Sequence, residues 1–171
     1  HQSPTSSREH VPLIERLMGD FTVIAPDTPG NGLSDPLPGE QPLAADYAHA
    51  LAQTLDALGI KRCGLFGTHT GGVTATEFAR LYPDRVSVVI VDGITCWTEG
   101  ERADAVANYF TPFAPSWDGS HLTWLWSRMR EQTIFFPWYE KSLAARLDYD
   151  LPSPDRLHNS LLEFLRSGDE Y

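Results

Sequence analysis

The sequence contains no apolar run near the roughly 18 residues from which a transmembrane helix is read, so no membrane-spanning segment is expected. Its opening residues also lack the charged-then-apolar pattern of a secretory signal. Cysteine is scarce: Cys63 and Cys96 are the only two, and they form no C-x-x-C pair. Neither a disulfide framework nor a structural zinc site can be built from them. Cys63 lies in an apolar run and reads as a buried reduced thiol, and the composition suits a cytoplasmic protein. Positive charge is sparse as well, with 13 Lys and Arg against 23 Asp and Glu and a formal net charge of −10. Phosphate backbones and anionic lipid are bound by clustered cations. The densest basic groupings here are Lys61-Arg62 and Arg128-Met129-Arg130, so nucleic acid and membrane surfaces are not expected partners. Metal-ligand spacings are absent too, and neither a metal nor a cofactor is expected.

What the sequence does hold is an alternation. Ser6 or Ser7 can cap a helix whose apolar face is Val11, Leu13, Ile14, Leu17 and Met18, with Gly19 as its stop. Phe21 to Ala25 reads as a buried strand. The stretch from Pro26 to Gly32 is dense in turn formers and reads as a loop. Pro42 to Leu58 reads as a helix ended by Gly59, and Cys63 to Phe66 as a second buried strand. Gly71 to Leu81 is helical in pattern, and Val86 to Val91 is a third buried strand. Strands that are apolar throughout and alternate with helices point to an α/β fold, with a parallel sheet covered on both faces. The three strands should lie side by side.

After Asp92-Gly93 the pattern changes, and all five tryptophans follow. His121 to Ile134 and Arg156 to Leu165 read as helices, the second capped by Ser153 with Pro154 at its first position. Residues 1–93 are thus expected to form the sheet-bearing part, and residues 94–171 a helical lid. The first residues read as a loop that follows a strand, so the chain is expected to be truncated at both ends.

The chemically informative segment is Gly67-Thr68-His69-Thr70-Gly71, set between a strand and a helix. It has the G-x-S-x-G frame of a nucleophile elbow, in which the residues two before and two after the apex must be small. The apex residue here is His69.

With three further motifs, the chain resembles the α/β-hydrolase superfamily, in its capped, epoxide-hydrolase-like and haloalkane-dehalogenase-like branch. His1-Gln2-Ser3-Pro4 is similar to the H-G-x-P oxyanion loop, and Asp27 to Asp35 to the D-x-P-G-x-G-x-S stretch. Tyr82-Pro83-Asp84-Arg85-Val86 is similar to the segment leading into the strand before the cap. These motifs keep the family's order across residues 1 to 93. The resemblance implies an α/β-hydrolase core with a helical cap. It also implies an oxyanion hole from the Ser3 and Thr70 N–H groups, and a catalytic histidine that in the family lies after the last strand. Asp92 stands where the dehalogenase-like branch can keep its acid. Gln2 departs from the family's glycine, and His69 from its serine.

A neutral imidazole needs no base to attack an acyl carbon, and a helix N-terminus disfavours its cationic form. His69 is therefore a candidate nucleophile or general base, or the elbow is inert in a binding protein. Gly30-Asn31-Gly32 lacks the further residues of a phosphate loop. His121, Trp124, Arg128 and Gln132 share one face of a lid helix, which either packs in the lid or lines a pocket entrance. Phe135, Phe136, Trp138 and Tyr139 read as lid core. Trp97, His121, Trp124 and Trp138 are the candidate substrate-binding residues. The leading expectation is hydrolysis of a small, fairly apolar ester, lactone, epoxide or carbon–carbon bond, with a homodimer left open. The alternatives are a non-catalytic small-molecule or partner-binding protein, and a cofactor-free lyase or oxygenase with His69 as base.

Overall fold

A computed structural model describes residues 1–39, 41–94, 96–111 and 113–166. It divides into two compact units, His1–Thr95 and Cys96–Tyr171.

The first unit begins with a 3-10 turn, Ser7–His10, whose N-cap Ser6 accepts from the Arg8 N–H. Helix α1 (Val11–Leu17) follows, with Pro12 in its first turn, where a missing N–H costs least. Helix α2 (Ala44–Ala57) carries the 3.6-residue apolar stripe read from the sequence, and buries Ala48, Ala52 and Leu55. Strand β1 (Cys63–Thr68) leads through His69 into α3 (Thr70–Leu81), and a short 3-10 turn leads into β2 (Val86–Asp92). β1 and β2 pair in parallel, with Leu65 opposite Val89 and Thr68 opposite Asp92. This is the strand–helix–strand crossover that the alternating pattern predicts.

The core lies on one face of this pair. Ala48, Ala52 and Leu55 of α2 meet Phe78 of α3, and Leu51, Cys63, Leu65 and Val86 pack against them. Small alanines on α2 let the helices approach closely around the fully buried Phe78 ring.

Two expectations are corrected. Phe21–Ala25 is not a strand: among the described residues the sheet has two strands, and this segment joins no ladder. A strand exists only where a neighbour takes its N–H and C=O groups, and no described segment does so here. Nor do the described residues cover the sheet on both faces. Phe66, Val88 and Ile90 share the face away from the core and are 43%, 52% and 56% exposed. Cys63 is half-buried rather than enclosed, although burial still pushes its thiol pKa up.

In the second unit, α4 (Glu99–Asp104) is capped by Thr98, and a π-helical turn follows at Ala105–Tyr109. Helices α5 (Ser120–Gln132) and α6 (Pro154–Leu165) pack together, the latter capped by Ser153 as expected. Arg128 of α5 is 4% exposed, with its guanidinium 5.3 to 5.7 Å from the ring centres of Tyr109, Trp138 and Phe164. Such cation–π contacts offset the cost of burying a charge. The lid-core reading fails for Phe136, which is 62% exposed. An isolated bridge between Phe135 and Arg146 is the β pairing described in this unit.

The open sheet face generates a prediction. Expressed as these 171 residues, the chain should bind a hydrophobic dye strongly and melt without a sharp transition. A cooperative melt of a monomer would show that the face is tolerated in water.

Candidate active site

The site is built around the turn between β1 and α3. His69 has φ 46° and ψ −109°, a left-handed conformation that costs a non-glycine residue of order 1–3 kcal/mol. The neighbouring glycines make room for it. A Cβ on Gly67 would lie 2.3 Å from the Gly71 carbonyl oxygen, and one on Gly71 would lie 2.8 Å from the His1 carbonyl oxygen. The His69 N–H donates to the Asp92 carbonyl at 2.9 Å, and its own carbonyl accepts from the Val73 N–H at 3.1 Å. The turn is thus tied both to the end of β2 and to the start of α3.

The imidazole lies over Gly93, where a Cβ would come within 2.9 Å of its Cε1. It is exposed, and its ring nitrogens have no hydrogen-bond partner among the described residues. His69 and Asp92 both line a cavity of about 250 Å³, shared with Gln2, Glu9, His10 and Thr68. No side-chain hydrogen bond joins Asp92 to His69.

The loop before the 3-10 turn is held against this site by its first residue. The Gly71 N–H donates to the His1 carbonyl at 3.0 Å. His1 Nε2 accepts from the Thr28 N–H at 2.8 Å, and Nδ1 lies 2.8 Å from the Gln2 carbonyl. That pattern fixes the tautomer, with the proton on Nδ1. His1 is buried, so its ring acts as a strut between two loops.

The expected oxyanion donors sit differently from each other. The Ser3 N–H donates to Thr70 Oγ1 at 3.3 Å, so it is engaged by that hydroxyl. The Thr70 N–H heads α3, among the groups that have no partner within the helix.

Two residues of this cavity, Glu9 and His10, were not singled out in the sequence. Glu9 Oε1 accepts from the Gln2 N–H at 2.9 Å and the Thr68 hydroxyl at 3.3 Å, and Oε2 accepts from the Thr5 hydroxyl at 2.7 Å. His10 stands edge-on to Phe66 of β1, with ring centres 5.5 Å apart. Its Nε2 lies 3.3 Å from Glu9 Oε1. A Glu-His pair beginning three residues past the Ser6 cap carries no motif, and only its nearness in space to position 69 marks it.

The predicted substrate-binding residues all fall in the second unit. His121 and Trp124 line a cavity of about 450 Å³ there, with Thr111, Phe113, Ser116 and Ser120. His121 Nδ1 accepts from the Ser116 N–H at 3.1 Å. Trp138 stands edge-on to Trp124, with ring centres 6.2 Å apart, and its indole N–H donates to the Tyr109 carbonyl. Trp97, 44% exposed, packs instead on Phe110, so the structure does not bring it to that cavity.

Asp27 organises the loop that receives His1. Its Oδ1 accepts from the Ser7 N–H at 2.7 Å and Oδ2 from the Leu33 N–H at 2.9 Å. Burial pushes its pKa up, but those hydrogen bonds outweigh it, and the carboxyl is held below its ordinary range. A depressed carboxylate pKa contributes stability that is complete above the ordinary range and is lost as pH falls through the lowered value. Asp27→Asn should therefore lower stability at neutral pH and remove part of the protein's acid sensitivity. Urea unfolding of the full-length protein and its Asp27→Asn variant between pH 7 and strong acid would measure this; parallel curves would refute it.

Comparison with known proteins gives the site its context. Residues 1–126 match the family described as alpha/beta hydrolase fold. The chain is 38% identical over 96 residues to an uncharacterized protein of Mycobacterium tuberculosis, covering 54% of this chain and 27% of that one. It is 38% identical over 73 residues to 2-hydroxy-6-oxo-6-phenylhexa-2,4-dienoate hydrolase of Comamonas testosteroni, covering 43% of this chain and 26% of the relative. In architecture it is similar to a thermophilic esterase from Thermogutta terrifontis, at a TM-score of 0.65 and 21% identity, covering 99% of this chain and 57% of the esterase. The chain thus spans about a quarter of the length of these curated relatives. With more than half of its residues matched, the chain belongs to the alpha/beta hydrolase fold family.

Proposed function

We propose that the protein is a hydrolase of a small, uncharged ester or lactone, with His69 as the nucleophile. The observation that carries this reading is the placement of an imidazole on a strained backbone, without a hydrogen-bond partner among the described residues, at the apex between β1 and α3. An imidazole is nucleophilic without a base, and the acyl-imidazole it forms is readily cleaved by water. Attack on an epoxide would instead leave an N-alkyl imidazole that water does not cleave, so acyl substrates are favoured over epoxides.

Charge narrows the substrate further. The cavity beside His69 is lined by two carboxylates, Glu9 and Asp92, and by no Lys or Arg. An anionic group at the reacting end would be repelled by these two carboxylates. A volume of about 250 Å³ is below the roughly 300–1,000 Å³ of sites that enclose a drug-sized ligand, and it suits the reacting end of a substrate. In this reading the Thr70 N–H stabilises the oxyanion, and Asp92 bears on His69 through the field of its carboxylate. The second unit corresponds to the family's helical cap. That unit has an aromatic cavity of its own, with His121 and Trp124 on its wall.

A second reading is favoured by one contact. The Ser3 N–H is engaged by Thr70 Oγ1, which leaves one expected oxyanion donor open and suits a general base better than an acyl transferase. His69 would then abstract a proton in a lyase or oxygenase that uses no cofactor.

The test is a set of substitutions in the full-length protein, assayed on a panel of neutral p-nitrophenyl esters and lactones. His69→Ala should lower turnover by at least about 10²-fold. His69→Ser should restore activity only where a catalytic histidine and acid complete a serine triad elsewhere in the protein. Gly93→Ala places a methyl group 2.9 Å from the His69 ring at a backbone φ of +71°, and should reduce turnover by displacing the imidazole. Proteins with His, Ala and Ser at position 69 that are all inert while binding a ligand equally would replace the enzyme reading with a binding one.

A further inference from the structure

We propose that His10 is a further catalytic residue of this site, the base that activates the water hydrolysing the acyl group on His69, with Glu9 as the carboxylate that orients it. This inference rests on the reading of His69 as nucleophile.

Four observations converge on His10. Its Nε2 is buried and faces Glu9 Oε1 at 3.3 Å without a formed hydrogen bond, so the carboxylate takes that side of the ring and Nδ1 is the nitrogen left to act as base. Leaving a buried polar atom unpaired costs about 1–3 kcal/mol, so it marks either a role or a missing partner. The ring is packed edge-on against Phe66, with ring centres 5.5 Å apart. Glu9 is fixed in turn by the Gln2 N–H and the Thr5 and Thr68 hydroxyls, so its carboxylate is a rigid reference for the imidazole. Finally, His10 and His69 line the same cavity. Its volume of about 250 Å³ is well above the roughly 10–15 Å³ that one water needs, so the cavity they share has room for the hydrolytic water.

The surroundings keep His10 in the form a base needs. Burial pushes its pKa down, and Glu9 pulls the other way. Asp92 and His69 are the remaining titratable groups on the cavity wall.

The chemistry balances without a co-reactant. His69 nitrogen bonds to the acyl carbon, and the alcohol leaves with the proton that the His69 ring gives up. Water then forms the new C–O bond while His10 takes its proton. The acyl C–N bond breaks with its electron pair going to His69, and the proton held by His10 returns to that ring. The products are the free acid, the alcohol and both imidazoles in their starting forms.

The experiment is rapid mixing of the full-length protein with p-nitrophenyl acetate, reading nitrophenolate release, acyl-imidazole absorbance and the mass of the His69 peptide after acid quench. His10→Gln should keep the first release of nitrophenolate at the wild-type rate and accumulate acetyl-His69. Its steady turnover should fall by about 10²-fold or more. If His10→Gln does not fold, His10→Ala replaces it, and added imidazole should restore deacylation; absence of rescue overturns the proposal. Turnover at the wild-type rate in the Gln variant, or loss of acylation itself, also overturns it. Absence of acetyl-His69 from both wild type and variant would bring down the nucleophile reading, which the missing adduct distinguishes from a failure of His10 alone.

Discussion

The site depends on one close approach, the Gly71 N–H meeting the His1 carbonyl at 3.0 Å. It is possible only because position 71 has no Cβ, which would lie 2.8 Å from that same oxygen. Through it the opening loop is held against the turn between β1 and α3. The loop then delivers Glu9 and His10 to the space beside His69. Gly67 imposes the same condition from the other side, since a Cβ there would collide with the Gly71 backbone. The strain at His69 is sustained by this packing, because the surrounding backbone leaves the residue no relaxed alternative.

Carboxylates do much of the remaining tethering. Asp27 gathers the Ser7 and Leu33 N–H groups, and Glu9 gathers a backbone N–H and two hydroxyls. An ionised carboxylate accepting backbone N–H bonds makes stronger contacts than a neutral acceptor does. The consequence for function is an acidic cavity whose imidazoles are ordered by loops rather than by a long helix. The second unit solves the opposite problem, a buried cation, by placing Arg128 among three aromatic rings and beside Gln132.

Much of the architecture was legible in the residues. The helical stripe of α2, the serine caps at Ser6 and Ser153, and the small residues flanking His69 each follow from a local rule, and each is found in place. The Phe21–Ala25 segment was misread because apolar, β-branched composition says only that a segment suits a sheet. Whether it becomes a strand depends on a neighbour to bond with. The exposure of Phe66, Val88 and Ile90 was hidden for the same reason: an apolar residue implies a cover without showing that one is present.

The sequence by itself determined the parallel strand–helix–strand unit, the turn at Gly67–Gly71 and the presence of a histidine at its apex. These are properties of spacing, glycine and hydrophobic period, which act over a few residues. Only the tertiary structure decided that His1 is a strut, that the Ser3 N–H is engaged by Thr70, and that Glu9 and His10 share a cavity with His69 and Asp92. Those relations join residues far apart in the chain, 27 positions for His1 and Thr28 and 67 for Ser3 and Thr70, and no local preference encodes them. They arise when hydrogen bonds across the loops select one arrangement of backbone that the glycines permit.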